Sequence, residues 1–347
     1  MLASVSRRLQ LDASFDADAS TVSHRGIDVT SDAGGELGKG SAVGRYELLA
    51  PLGSGGMAEV WRARPRRPGT KGVVRDVAIK IARRACALDL ESRRMFHAEA
   101  AIGAAIHQAN VVDVLELGET RGRPFLVMSL VDGPTLSRLL ASGPPVPVEI
   151  AVAVIGDVLR GLHAAHEARQ TNGASFDLVH GDVSPQNVLV GADGLARICD
   201  FGVARLGLTR PPRTECLLAG KVSYFAPEQA MGEPLDRRVD VFAAGVILWE
   251  LLAAAPLFRS SSRDRTLENV LVAPITHPSD VRSVAPRALG DVAMRALSRE
   301  PSERFATSRA FGQALAAAAR AVGLAPSIDD VAAFVEARAA NAPPTRT

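Results

Sequence analysis

Residues 180–202, HGDVSPQNVLVGADGLARICDFG, form the stretch that decides the fold. Asp182 can orient a hydroxyl and accept its proton, and Asn187 and Asp200 offer the amide and carboxylate oxygens that Mg²⁺ prefers. A short strand is predicted at Val188–Val190, between these groups. Phosphoryl transfer needs all three in one place, because its barrier falls mainly through positioning and charge neutralisation. Any one of them could be an ordinary loop residue, but the ordered set predicts a phosphoryl-transfer site.

A glycine turn lies upstream, in the sequence GSGGMAEV at Gly53–Val60. The alternating residues around it predict two strands, and glycines let backbone amides approach phosphate oxygens because no Cβ intrudes. A dinucleotide-binding turn would open a helix, and no Gly-Lys-Ser/Thr follows to make a Walker loop. The turn is a weak signal alone, and it predicts a phosphate-covering hairpin only together with residues 180–202.

Lysine is scarce in this arginine-rich chain, and it occurs only at Lys39, Lys71, Lys80 and Lys221. Lys80 ends the predicted strand VAIK, and Glu99 lies on a predicted helix at Phe96–Ala105. We expect the two to pair, which would fix the ammonium against the α- and β-phosphates of a nucleotide. The alternative is an ordinary exposed lysine at the end of a strand.

The composition of the whole chain limits the class of protein. The chain has 347 residues, of which 47% are hydrophobic, and this excludes a wholly disordered chain. A formal net charge of +2 gives no argument for a nucleic-acid or anionic-membrane partner. The three cysteines form no CxxC pair, and no signal peptide or run of about 18 apolar residues is evident. We therefore expect a cytoplasmic protein that contacts neither nucleic acid nor membrane.

A strand-rich first portion gives way after Gly133 to a helix-rich second one, which implies an α+β protein with two lobes and a cleft. With the motifs above, the sequence resembles the protein kinase family, and specifically the bacterial eukaryotic-like Ser/Thr kinases. The resemblance implies the bilobal protein-kinase fold, with a small antiparallel β-rich N-lobe, one main N-lobe helix and a larger α-helical C-lobe. The expected boundaries are a disordered arm at 1–44, a kinase domain at 45–322 divided into an N-lobe at 45–131 and a C-lobe at 132–322, and a tail at 323–347 with a short helix from about Pro326 to Ala340.

The resemblance also implies the chemistry: transfer of the γ-phosphate of ATP to Ser/Thr hydroxyls of proteins, with Mg²⁺ or, as a substitute, Mn²⁺. Asp182 would be the base, Lys80 and Glu99 the pair that holds phosphates, and Asn187 and Asp200 the metal ligands. The residues expected to contact ATP are Leu52, Gly53, Ser54, Gly55, Gly56, Val60, Ala78, Lys80, Met128, Val131 and Leu189.

Two structural expectations follow from the same resemblance. Gly220–Glu228 is similar to the end of an activation segment, and Arg304 is expected to pair with Glu228. Asp240 lies in a stretch that is similar to the buried helix supporting the catalytic loop. Thr209, Thr214 and Ser223 are candidate phosphorylation sites in this part of the chain.

The sequence departs from the family at three positions near Asp182. Gly181 replaces the arginine that normally receives an activation-loop phosphate, so we expect activity without strict need for loop phosphorylation. Ser184 stands where the family usually has a lysine touching the γ-phosphate, and Lys221 stands where it usually has threonine. One hypothesis is that Lys221 reaches back into the γ-phosphate site as a catalytic residue. The other is that Lys221 faces solvent and the exchange has no function.

These departures keep two other functions open. A nucleotide-binding pseudokinase that acts as a scaffold would explain Ser184, although Lys80 and Asp182 are both present. A small-molecule phosphotransferase is suggested by His-Gly-Asp at 180–182, but Arg304 argues against it. ATP and protein substrates are the expected partners, together with a possible regulatory protein. Phosphate incorporation into protein would separate the two enzyme hypotheses.

Overall fold

This computed structural model of the chain describes residues 37–66, 75–141, 143–170, 173–201, 205–206 and 221–340. The chain divides into two units, each with its own internal packing. Unit 1 runs to Ala104 and includes Asp113–Leu130, and unit 2 comprises Ala105–Val112 and the chain from Val131 onward.

Unit 1 is formed by antiparallel strands and two helices. In chain order its elements are β1 (Ala42–Val43), β2 (Tyr46–Ser54), β3 (Ala58–Pro65), β4 (Val77–Ala82), α1 (Arg84–Ala87), α2 (Leu90–Ala105), β5 (Val114–Thr120) and β6 (Arg123–Ser129). The six strands of its described residues form one sheet in the order β1-β2-β3-β4-β6-β5. This is the β-rich lobe with one main helix that the sequence predicts.

Alternation along β4 explains how unit 1 presents its lysine. Ile79 and Ile81 lie in a core cluster with Phe125 on one face of the sheet. Ala82 lies in a second cluster, with Phe96 of α2, on the other face. Burying each large apolar side chain contributes about 1.5–3 kcal/mol, so the register of β4 is strongly fixed. Since side chains alternate along a strand, Lys80 must emerge on the α2 side.

The ordered chain begins earlier than the sequence predicts. The sequence predicts a disordered arm at 1–44, with order starting near Arg45. Instead Val43 of β1 is fully buried and pairs with Tyr46, and Leu37 packs in the same core cluster. Composition alone does not identify Leu37 and Val43 as core residues, because the segment around them is polar and rich in glycine. Residues 1–36 of the predicted arm lie outside the described residues.

Unit 2 is mainly helical. Its elements are α3 (Leu136–Ala141), α4 (Val148–His166), β7 (Leu178–Val179), β8 (Val188–Val190), β9 (Ala196–Ile198), β10 (Arg205–Leu206), α5 (Pro227–Met231), α6 (Arg238–Ala253), α7 (Arg263–Val272), α8 (Pro278–Val281), α9 (Arg287–Ala296), α10 (Ser308–Ala321) and α11 (Ile328–Ala340). The short strands pair as two antiparallel ribbons, β7 with β10 and β8 with β9.

Helix α6 is the core of unit 2. Every residue from Val239 to Ala253 is buried, and α4, α9 and α10 pack around it. A helix that is apolar on all sides is stable only when other elements surround it. Despite this apolar character, none of the described helices combines the length and hydropathy that a bilayer span requires. The buried position of α6 makes Asp240, in its first turn, a fixed support for neighbouring loops.

The predicted C-terminal helix is present as α11, which ends at the expected Ala340. Val331 and Val335 are 1% and 2% exposed, and α11 packs against α4. Its last turn is held by Arg338, which donates a hydrogen bond to the Pro144 carbonyl. Residues 341–347 of the predicted tail lie outside the described residues.

Candidate active site

Lys80 and Glu99 of unit 1 form the pair expected from the sequence. Lys80 Nζ lies 2.8 Å from both Glu99 carboxylate oxygens, and the two side chains are 12% and 5% exposed. The Phe96 ring, one helical turn before Glu99 on α2, lies 5.6 Å from the same ammonium. A charge pair this well shielded from water holds the lysine in one position, since neither partner can be solvated alone.

The glycine turn joins β2 to β3, as predicted. The Gly55 amide donates to the Ala58 carbonyl at 2.9 Å, which closes the turn. Arg83 donates from Nε to the Gly55 carbonyl at 2.8 Å and also bonds the Ser54 hydroxyl. Leu52, which precedes the turn, is half exposed. Sequence reasoning missed Arg83, because a bond to a backbone carbonyl 28 residues away leaves no local pattern.

One face of the unit 1 sheet collects four of the residues predicted to contact nucleotide. Val60 pairs directly with Lys80 across β3 and β4, and Ala78 pairs with Met128 across β4 and β6. Residues directly opposite each other in an antiparallel pair share a face, and so do residues two apart on one strand. The remaining predicted contacts, Val131 and Leu189, belong to unit 2, where both are partly buried.

Asp182 of unit 2 sits in a loop whose backbone is clamped by α6. Asp240 accepts hydrogen bonds from the His180 amide at 2.9 Å, the Gly181 amide at 2.8 Å and His166 Nε2 at 2.7 Å. Burial opposes ionisation of Asp240, but the His166 hydrogen bond, the nearby histidine charges and the Gly181 amide outweigh it and lower its pKa. Gly181 has a φ of +70°, a backbone conformation that is strained for L-residues but accessible to glycine, so a glycine suits this position in the clamped loop.

The side chain of Asn187 fixes the Asp182 carboxylate. Asn187 Nδ2 donates to the Asp182 carbonyl at 2.8 Å and to its Oδ2 at 2.9 Å. With Nδ2 used in this way, Oδ1 is the atom that Asn187 can offer to a cation. Both residues are buried, at 7% exposure for Asp182 and 6% for Asn187.

The β8–β9 ribbon brings Asp200 to the same end of the structure. Val188 pairs with Ile198, and the Cys199 amide donates to the Asn187 carbonyl at 3.0 Å. Asp200 follows directly, with φ of +70°, a conformation that costs a non-glycine residue about 1–2 kcal/mol. Strain of this kind persists only where the surroundings impose it, and it is typical of functional sites. Gly202, the last residue of the quoted stretch, lies outside the described residues.

The donor set at this end fits a divalent cation. The Asp200 carboxylate and the Asn187 amide oxygen are hard oxygen ligands, the kind that Mg²⁺ binds. The orientation of Asn187 through its nitrogen supports this fit, because it directs the oxygen away from Asp182.

Lys221 points toward Asp182. Its ammonium forms an ion pair with Asp182 Oδ2, and its side chain is only 20% exposed. The hypothesis that Lys221 faces solvent is therefore wrong. Ser184, at the other exchanged position, is 1% exposed, and its hydroxyl has no hydrogen-bond partner among the described residues.

The segment after Lys221 is fixed by buried contacts. The predicted pair is present, with Arg304 Nη1 and Nη2 at 2.6 and 2.8 Å from the Glu228 oxygens. Tyr224 donates to Glu250 at 2.8 Å, and Gln229 Nε2 donates to the Gly181 carbonyl at 2.7 Å. The last two contacts were missed, because each joins residues distant in sequence. Of the candidate phosphorylation sites, Ser223 is buried, whereas Thr209 and Thr214 lie outside the described residues, as does Gly220.

Comparisons with known proteins find bacterial protein kinases among the relatives of this chain. The chain is 32% identical over 276 residues to the tyrosine-protein kinase MasK of Myxococcus xanthus, covering 78% of this chain and 42% of MasK. It is 34% identical over 268 residues to the serine/threonine-protein kinase PknD of Mycobacterium tuberculosis, covering 77% of this chain and 38% of PknD. The chain thus spans about two-fifths of the length of the curated relatives it matches.

A solved structure shares the fold. The crystal structure of the PknI kinase domain of Mycobacterium tuberculosis matches with a TM-score of 0.60 at 28% identity, over 82% of this chain and 99% of that one. Residues 46–315 match the protein kinase domain family. The match covers every site residue described above, and the chain belongs to the protein kinase family, with bacterial eukaryotic-like kinases among its relatives.

Proposed function

We propose that this chain is an active serine/threonine protein kinase of bacterial signalling, which transfers the γ-phosphate of ATP to protein hydroxyls. The observation that carries the proposal is the Asp182 carboxylate, oriented by Asn187 and paired with Lys221 in a loop clamped by Asp240. A base for phosphoryl transfer needs this fixed orientation more than it needs unusual basicity.

In the proposed reaction Asp182 orients the acceptor hydroxyl and takes its proton. The hydroxyl oxygen forms a bond to the γ-phosphorus while the bond from that phosphorus to the β–γ bridging oxygen breaks, and ADP leaves with the electron pair. Lys80, held by Glu99, binds the α- and β-phosphates. The ammonium is suited to this because the Glu99 pair keeps it in place before nucleotide arrives.

The glycine turn is proposed to cover the phosphates. A Cβ built at Gly53 or Gly56 would meet no described atom within 4 Å, and neither residue has a positive φ. Packing and backbone conformation therefore do not require glycine at these positions. Close approach of a ligand to the backbone is then the physical reason for glycine at these positions. The backbone amides of Gly53–Gly56 would donate hydrogen bonds to phosphate oxygens.

The adenine is proposed to lie on the sheet face formed by Val60, Ala78 and Met128. Their apolar side chains offer the flat surface that a purine ring needs, and Leu52 would close it from the glycine turn. Val131 is proposed to supply backbone contacts to the adenine edge, and Leu189 an apolar contact. All of these assignments rest on the kinase resemblance.

Asn187 and Asp200 are proposed to hold Mg²⁺, with Mn²⁺ accepted by the same oxygens. When bound, the metal would neutralise the charge of the phosphates. Asn187 and Asp200 would each present one oxygen atom to the metal. The hydrogen bond from the Cys199 amide to the Asn187 carbonyl fixes the ribbon that carries them.

Strict dependence on activation-loop phosphorylation is not expected. Gly181 provides no cation to receive a phosphate, whereas Gln229 and Lys221 already tie the following segment to the catalytic loop. Enzyme treated with a phosphatase and then freed of it should keep most of its activity. A loss of more than about tenfold would contradict this part of the proposal.

Protein substrates, a regulatory protein partner and a cytoplasmic location are also proposed. Cys86 and Cys199 are free thiols among the described residues, as expected for a reducing compartment. Protein substrates are proposed because the chain resembles protein kinases. Asp182 would contact the acceptor hydroxyl of such a substrate.

The test of the function is label transfer from γ-labelled ATP with magnesium and a generic basic protein. The proposal predicts label on the chain or on the protein, and its loss in Asp182→Asn with the fold intact. The alternative of a pseudokinase scaffold is favoured by Ser184 alone. It predicts magnesium-dependent ATP binding without any label. A small-molecule phosphotransferase would consume ATP with a small acceptor and leave protein unlabelled.

A further inference from the structure

The cation beside the Asp182 carboxylate comes from the segment after residue 220, and not from the catalytic loop itself. Lys221 Nζ is paired with Asp182 Oδ2, and among the described residues the other contact to that carboxylate oxygen is neutral, from Asn187. Ser184, within the catalytic loop, contributes a buried hydroxyl and no charge.

A positive charge at this place has a specific use. During transfer the γ-phosphoryl group, the attacking oxygen and the Asp182 carboxylate all bring negative charge into a small volume. An ammonium that already touches the carboxylate can contact a phosphoryl oxygen with another of its three N–H donors. Because Lys221 is largely shielded from water, its charge acts more strongly than that of a solvated lysine.

The position of Lys221 is set by residues on its C-terminal side. Val222 is fully buried and Ser223 is 1% exposed in the turn that follows it. Tyr224 is tied to Glu250, and Glu228 to the buried Arg304. The lysine is therefore placed by a scaffold packed on α6, which costs little reorganisation when the reaction occurs.

We infer that Lys221 is a catalytic residue, whose ammonium stabilises the γ-phosphoryl group in transfer and so replaces a cation at position 184. The inference rests on the proposed kinase function and adds to it. The bonds made and broken are those of the transfer to a hydroxyl described above. Lys221 stays protonated throughout, and the acceptor proton goes to Asp182.

The test compares Lys221→Met with Lys39→Met in the full chain. Lys39 is an exposed lysine far along the chain from this loop, so it controls for loss of one lysine. We expect Lys221→Met to lower kcat by about two to three powers of ten, from loss of a charge near 4 Å at an effective dielectric of about 20. The KM for ATP should change little, and Lys39→Met should behave as wild type. Because Lys221→Met leaves the buried Asp182 carboxylate without its ionic partner and so lowers the unfolding midpoint, kcat is compared at a temperature well below the midpoint of every variant.

Two further variants separate a catalytic charge from a structural contact. Lys221→Arg should keep more activity than Lys221→Met, because the charge remains. The double variant S184K/K221T should recover at least tenfold over Lys221→Thr, because the ammonium returns from the catalytic loop. A purely structural role would instead predict that the added lysine does not restore turnover in S184K/K221T.

The outcomes also separate this inference from the function it rests on. An active wild type whose kcat is unchanged by Lys221→Met would overturn the inference and leave the kinase function standing. A loss in Lys221→Met that follows unfolding, with no recovery in the double variant, would overturn it as well. A wild type that binds ATP and transfers no phosphate would overturn both.

Discussion

The clamp between Asp240 and the catalytic loop allows a quantitative prediction for Asp240→Asn. Within the part of the chain that the structure describes, Asp240 Oδ2 accepts from His166 and from the His180 amide, and Oδ1 accepts from the Gly181 amide alone. In Asp240→Asn, the new side-chain amide therefore fits at least cost with its NH₂ group at the former Oδ1 position, where it faces the Gly181 N–H. One hydrogen bond to a charged group is lost, about 1.5–3 kcal/mol, and a buried donor is left unsatisfied, about 1–3 kcal/mol.

The sum, about 2.5–6 kcal/mol, is a large part of the roughly 5–15 kcal/mol typical of a folded domain. Urea unfolding of Asp240→Asn should show this loss, and kcat at low temperature should fall because Asp182 is no longer held in place. Asp236→Asn is the matched control, since the Asp236 side chain is 51% exposed and forms a local ion pair with Arg238, two residues further along the chain. The control should lose less than about 1 kcal/mol. Equal stabilities for the two variants would refute the reasoning.

The Asp240 carboxylate also predicts how the stability of the fold depends on pH. The pKa of Asp240 is lowered in the folded chain, because the His166 bond, histidine charges and Gly181 amide outweigh the opposing effect of burial. Its stabilisation is therefore fully present above the ordinary value of 3.8 and is lost as the pH falls through the folded pKa. The stability difference between wild type and Asp240→Asn should be full at about pH 5 and shrink below about pH 4. A difference that stayed constant into acid would show that the charge of Asp240 is not what the clamp uses.

Three other substitutions test separate contacts. Arg304→Met should cost about 3–5 kcal/mol in urea unfolding because Glu228 stays buried without its partner, whereas the exposed control Arg287→Met should cost under about 1 kcal/mol. Gly181→Ala should lower the stability by at least about 1 kcal/mol in the same assay, since φ is +70° at this position. An unchanged stability would argue against that backbone conformation. Glu99→Gln should lower kcat/KM for ATP by about tenfold or more in the label-transfer assay through looser placement of its lysine, and unchanged kinetics would show that the pair is dispensable.

Motifs with a local period were predictable from the sequence. The strand of Lys80 and the helix of Glu99 follow from alternation and helical spacing, and the C-terminal helix ending at Ala340 follows from the helix-start signal at Pro326–Asp330. The pair between Arg304 and Glu228 was expected only through the family resemblance, because nothing local connects residues 76 positions apart.

Contacts that depend on tertiary packing were not predictable. The sequence does not determine the direction of the Lys221 side chain, since a lysine that follows a glycine has no local pattern that distinguishes a buried ion pair from a solvated side chain. Arg83 and Gln229 bond backbone carbonyls, which any arginine or glutamine could do. The early start of the fold at Leu37 was missed because two buried apolar residues in a polar segment give too weak a signal.

Mass spectrometry of the purified chain after incubation with ATP and magnesium, beside Asp182→Asn, tests the central claim most directly. The account predicts phosphate on serine or threonine of the chain or of an added basic protein. It also predicts that Asp182→Asn binds ATP as wild type does and carries no new phosphate. Phosphate confined to tyrosine would contradict the assigned acceptor. Equal phosphate in the two proteins, or none in either despite ATP binding, would contradict the role of Asp182 and with it the proposed kinase.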